Sequence, residues 1–182
     1  AADQNNIDLS DTDLKAMRAE HGARKDALYD QPHIPLMPGV EALLMRLQGD
    51  GCLLSVGSSN PVARIRKGLN KTGLSCFFND RVYGPDLVGD LKKPDPAVFN
   101  HAITVNNVPA AQCFVVEDSL AGIMAGHDSG AFVIAFMHQI FKQAGYQNKV
   151  QDSYAKAGAQ LVVSDYDDLY HRLVDNVSSY TP

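Results

Sequence analysis

Cysteine is scarce in this 182-residue sequence: Cys52, Cys76 and Cys113 are odd in number and form no CxxC pair. That argues against a disulfide framework and for free thiols in a reducing compartment, with Cys52 and Cys113 buried because each opens an apolar run. Long apolar runs are also lacking. The longest, from Gly130 to Met137, is far too short to span a bilayer. The first residues, AADQNNIDLS, have neither the basic nor the apolar region of a secretion signal, so the reading is cytoplasmic. Positive charge is not in excess. The net charge of -5 gives no reason to expect nucleic acid or an anionic membrane as a partner. It also repels a phosphorylated ligand overall, so any phosphate site must be built locally. There is no repeat, low-complexity tract or linker. The length fits one ordinary domain with a small appendage, and 45% hydrophobic with 20% charged residues is ordinary for a globular protein.

What is present alternates regularly. Ser10 with Asp13 reads as a capping box opening a helix up to about Tyr29. DQPHIPLM, Asp30 to Met37, holds two prolines and cannot be helical throughout. Pro38 suits the first position of a helix whose apolar face is Val40, Leu43, Leu44 and Leu47, ended by Gly49 and Gly51. Five short apolar runs read as strands: CLLSV from Cys52, RVYG from Arg81, CFVV from Cys113, FVIAF from Phe132 and LVVS from Leu161. Helices are expected after Asn60–Pro61, after Asp95–Pro96, in SLAGIMAGHDSG and from Asp165 to Asn176. Apolar strands alternating with helices imply a doubly wound α/β domain with a parallel sheet covered on both faces. Ligands in such folds sit at the carboxyl ends of the strands.

Three strand-end segments carry candidate chemistry. GSSNP, with Ser58, Ser59 and Asn60, places hydroxyls and amides before a helix start, an anion site by charge and geometry, or simply a capped turn. DLKKPDPAVF holds a lysine against Pro94, poised to neutralise phosphate oxygens, or solvated at the surface. VEDSLAG ends an apolar strand in two adjacent carboxylates, Glu117 and Asp118. These are costly there unless they meet a cation such as magnesium, which prefers oxygen ligands, or unless they cap the following helix.

In this order and spacing, SVGSSNP, LKKPDPAVF and VVEDSLAGIMAG resemble the haloacid dehalogenase superfamily, over nearly the whole chain. PGV, Pro38 to Val40, resembles the return from that family's helical cap to its core. The resemblance implies a partial cap over residues 1–34 and an α/β core over 35–182. It implies Ser58 as the phosphate-binding hydroxyl, with Ser55 as the other register, and Lys93 rather than Lys92 as the phosphate-binding lysine. It also implies Asp118 and Glu117 as ligands of Mg2+, with Ser59 and Asn60 beside the phosphate. The implied activity is hydrolysis of a small phosphorylated metabolite, a sugar or polyol phosphate.

The family's first strand ends in DxDx[TV], whose first Asp attacks phosphorus to form an aspartyl-phosphate and whose second protonates the leaving oxygen; covalent catalysis of this type divides one hard displacement into two easier ones. No such sequence occurs here. DTD at Asp11 to Asp13 lacks a preceding strand, and SDYDD at Ser164 to Asp168 stands at the wrong end of the chain. The expectation is a sheet without its central first strand, inactive alone, and prone to associate through the open slot. Two other functions share these motifs: a phosphomutase of the β-phosphoglucomutase type, and a catalytically dead module binding phosphate or a protein. The six histidines have no ligand-like spacing; His33 and Arg24, in or beside the cap remnant, are expected at the surface, the alternative being that they face substrate.

Overall fold

The computed structural model describes residues 11–31, 34–138 and 145–178. Ser10 of the expected capping box and His33 lie outside the described residues. The chain divides into two units, Ala1–Pro35 and Leu36–Pro182. The first holds α1 (Asp11–Asp30). On it Arg24 pairs with Glu20 one turn earlier at 2.7 Å, both exposed.

The second unit runs α2 (Val40–Gly49), β1 (Val56–Gly57), α3 (Val62–Thr72), α4 (Ser75–Phe78), β2 (Val82–Tyr83), α5 (Ala97–Asn106), β3 (Phe114–Glu117), α6 (Leu120–Asp128), β4 (Phe132–Phe136), α7 (Gln147–Lys156), β5 (Leu161–Val163) and α8 (Tyr166–Ser178). Short 3-10 turns stand at Pro85–Leu87 and Ala110–Gln112. All strand pairs are parallel. They form a two-stranded sheet β1–β2 and a three-stranded sheet in the order β3–β4–β5.

Alternation across β4 sets the layers. Val133 and Ala135 point into a core with Val115, Ile123, Phe99 and Tyr154, under α5, α6 and α7. Ile134 points the other way, into a core with Leu43, Leu47, Val163, Leu169 and Leu173, under α2 and α8. The β1–β2 pair is covered by Leu44, Ile65, Phe77 and Phe78 on one side, and on the other by Val98 and Ala102 of α5. Helices therefore cover both faces, the doubly wound arrangement expected of near-continuously apolar parallel strands.

The strand expected over CLLSV is much shorter. Only Val56 of that run, with Gly57, is paired, and residues 52–55 lie outside any ladder. The Arg81 side chain supplies part of what is missing: its Nε donates to the Leu54 carbonyl at 2.8 Å. Helix starts also shift slightly. Gly39, at φ 89, precedes α2, so Pro38 lies outside the helix. α5 starts at Ala97 with Pro96 as its N-cap, and Asp95 Oδ1, two residues before Ala97, accepts the Ala97 N–H at 2.9 Å.

Candidate active site

The carboxyl ends of β1 and β3 are joined by one side chain. Lys93 Nζ donates to the Gly57 carbonyl at 3.0 Å and to Glu117 Oε1. The ion pair is buried, with the two side chains 8% and 10% exposed, whereas Lys92 is exposed. Burial of both charges is costly unless the remaining valences are satisfied, and here they are. The Lys93 ammonium lies 4.5 Å from the Phe99 ring centre. Glu117 Oε2 accepts the Asp118 N–H at 3.2 Å, the Ser119 N–H at 3.4 Å and the Ser119 hydroxyl at 3.1 Å.

The turn from β3 into α6 is shaped around that carboxylate. Ser119 is the N-cap of α6, its Oγ accepting the Gly122 N–H at 3.0 Å. A Cβ at Gly122 would collide with the Glu117 carboxyl group, so any other residue there requires that carboxylate to move from its Lys93 and turn partners. The adjacent Asp118 is exposed. Its side chain makes no hydrogen bond or ion pair among the described residues. Its carbonyl accepts the Tyr154 hydroxyl at 2.6 Å. Burial first, then the charges of Asp118 and Glu117, pushes the Tyr154 phenol above its ordinary value. Tyr166 is raised likewise, by burial and then by Asp118.

On the β1 side, Ser58 Oγ accepts the Asn60 N–H at 3.1 Å and Asn60 Nδ2 at 3.4 Å, and the Ser58 N–H donates to Tyr83. Ser58 and Asn60 are half-buried, while Ser59 and Ser55 are exposed. The helix start is less open to an anion than the sequence implies. The Val62 N–H, first in α3, already donates to both oxygens of Asp86, at 3.1 and 3.3 Å. What this segment offers a ligand is therefore the Ser58–Asn60 turn rather than the α3 terminus.

A cavity of about 430 Å³ opens at the ends of β4 and β5, lined among others by Phe136, Tyr166, Asp165, Leu43 and Arg46. Tyr166 stacks on Phe136 at 4.8 Å. Arg46 is committed to Asp167 at 2.8 Å and to the face of Tyr170 at 3.5 Å. Sequence reasoning does not single out Tyr154, Tyr166, Asp86 or Gly122; of these only Gly122, in SLAGIMAG, carried a local signal.

No group of three or more His, Cys, Asp or Glu among the described residues is placed to hold a metal. The donors at the end of β3 nonetheless fit a hard cation. Magnesium is commonly held by one or two carboxylates, with water and phosphate oxygens completing its shell, and Asp118 presents an uncommitted carboxylate. No described helix is long and apolar enough to cross a membrane.

Residues 3–136 match the model of the haloacid dehalogenase-like hydrolases. The chain is 32% identical over 126 residues to 6-phosphogluconate phosphatase of Escherichia coli, covering 68% of this chain and 54% of that protein. It is 29% identical over 119 residues to phosphoglycolate phosphatase of Vibrio cholerae, covering 64% and 52%. It thus spans about half the length of these curated relatives. Among solved structures, a haloacid dehalogenase-like protein of Agrobacterium tumefaciens superposes with a TM-score of 0.73 at 27% identity, covering 94% of this chain and 72% of that one. A hydrolase of Deinococcus radiodurans with bound phosphate and sodium gives 0.71 at 21% identity, covering 98% and 73%.

Proposed function

The chain belongs to the haloacid dehalogenase-like hydrolases, and from that premise we propose that the protein containing it is a Mg2+-dependent phosphoric monoester hydrolase acting on a small sugar or polyol phosphate. The observation that carries this reading is the junction at Lys93, which ties the ends of β1 and β3 together beside the free Asp118 carboxylate. Asp118 would hold the cation, with Glu117 behind it, already occupied by Lys93 and the turn amides. The cation would supply charge neutralisation at phosphate oxygens. The Ser58 hydroxyl would take a second oxygen, flanked by Ser59 and Asn60. The Lys93 ammonium would add positive charge where negative charge grows in the transition state. The attacking carboxylate would come from a strand entering the gap between β1 and β3, forming an aspartyl-phosphate that water then hydrolyses. The 6-phosphogluconate and phosphoglycolate phosphatases among the relatives favour a compact, oxygen-rich phosphate ester.

The test is phosphate release by the full-length protein from a panel of sugar, polyol and carboxylate phosphates. Activity should vanish in EDTA, return with MgCl2, and fall by about 10²-fold or more in Asp118→Asn. EDTA-resistant turnover, or an Asp118→Asn variant with unchanged turnover and unchanged magnesium titration, would sink the reading. Isomerised sugar phosphate without released phosphate would identify a mutase instead.

A further inference from the structure

Asp118 is gripped through its backbone on both sides. Its N–H is held by Glu117, the residue before it, and its carbonyl by Tyr154, 36 residues later on α7. Tyr154 is 5% exposed, and its ring is part of the core that also contains Val133, Ala135 and Ile123. The ring is thereby fixed, and the hydroxyl reaches out of the core to one acceptor. The turn does not need this bond to form, because Ser119 already caps α6 and Glu117 already binds two turn amides. What the Tyr154 hydroxyl adds is the orientation of the peptide that follows the Asp118 side chain.

We infer that Tyr154 is a positioning residue: the hydrogen bond from its hydroxyl to the Asp118 carbonyl aims the Asp118 carboxylate at the cation. The inference rests on the proposed metal-binding role of Asp118. Groups that orient a ligand without touching the metal typically contribute about 10- to 100-fold to metal affinity. Tyr154 acts on the backbone of the ligand rather than on its carboxylate, so the lower end, about tenfold, is expected here.

The experiment titrates metal-free, full-length protein with Mn2+ alone, reading free Mn2+ by electron paramagnetic resonance. Thermal unfolding is recorded on the same samples. Asp118→Asn should remove the site. Tyr154→Phe keeps the ring and loses only the hydroxyl; it should fold cooperatively and bind Mn2+ about tenfold more weakly. Tyr83→Phe is the control, removing another buried hydroxyl, the partner of Asn106 at 3.1 Å; it should leave Mn2+ affinity unchanged. Should Tyr154→Phe not fold, Tyr154→Met, also without a hydroxyl, carries the same expectation. Wild-type affinity in the Tyr154 variant, with binding lost in Asp118→Asn, overturns the inference while leaving the metal reading intact. Equal weakening by Tyr83→Phe overturns it too, because the effect would then be general loosening. Unchanged binding in Asp118→Asn defeats the metal reading and the inference together.

Discussion

The β1–β2 pair and the β3–β4–β5 sheet begin from similarly apolar segments, and they end very differently. FVIAF becomes a strand along its full length, with Val133, Ile134 and Ala135 all 0% exposed. CLLSV is paired only from Val56, and Leu53 within it stays 53% exposed. The difference lies in neighbours. β4 is flanked on both sides, whereas β1 and β3 each have a partner on one side only. Even β3, well paired to β4, leaves Val116 43% exposed. An apolar run becomes a buried strand when its amides and carbonyls are satisfied along both edges, and an unpaired edge resists full burial. The two sheets separate between β1 and β3, where the family resemblance places a central strand, and no described strand pairs with either of those two edges.

Lys93 is the polar link across that break, so its removal should give the largest effect. Lys93→Met would leave Glu117 buried without its counter-charge, a loss of about 3–5 kcal/mol for a broken buried pair. In the full-length protein turnover should also fall by about 10²-fold or more. Lys92→Met, at an exposed position, should change neither. Chemical denaturation and a phosphate-release assay on both variants decide this. The reverse ranking would place the functional lysine one residue earlier.

Packing should distinguish the two sheets next. Ile134→Ala empties a site enclosed by α2, α8 and β5 and should cost about 2–5 kcal/mol. Val56→Ala, on the half-buried β1, should cost about 1 kcal/mol. Equal losses in urea melts would mean that the β1 region is as tightly built as β4, and the contrast would fail. Hydrogen exchange offers an independent view: amides of residues 132–136 should outlast those of residues 52–56.

Much of this was readable from the residues, for reasons that differ by element. Apolar runs set between glycine and proline punctuation mark the five strands and the helices α2, α3, α5, α6 and α8. The choice of Lys93 over Lys92 comes from the family resemblance, whose pattern has the lysine directly before the proline, here Pro94. Other features left little local trace. The four residues of α4 are too few to show a period. In α7, QNKVQDSYAK, only Val150 and Tyr154 reach the core, so no apolar stripe marks the helix. Which acid of the Glu117–Asp118 pair turns inward depends on the space left by Gly122 and on donors from Ser119. Occupation of the α3 amide by Asp86 is likewise a contact between residues 24 positions apart. Such features are decided by tertiary proximity, which no local pattern encodes.

The smallest expected effect compares the two cysteines that stand just ahead of β1 and β3. Burial pushes the Cys52 thiol above its ordinary value, and the nearby Asp50 carboxylate pushes it further. Cys113 is raised by burial alone. A raised thiol pKa means less thiolate at pH 8, and the thiolate is the reactive form. Any stability from keeping these thiols neutral is present below the unfolded thiol pKa and is lost as pH rises through the folded value. In the native protein, a disulfide reagent such as DTNB should therefore modify the exposed Cys76 first, and Cys52 and Cys113 more slowly. Raising the pH should accelerate the two slow thiols. Added salt separates them, because it screens the Asp50 charge but not burial: Cys52 should react somewhat faster in high salt, and Cys113 should not. Single-cysteine variants retaining one thiol each allow the rates to be assigned. An equal salt response at both sites would show that Asp50 does not control Cys52, and that the approaches to the two sheets are electrostatically alike.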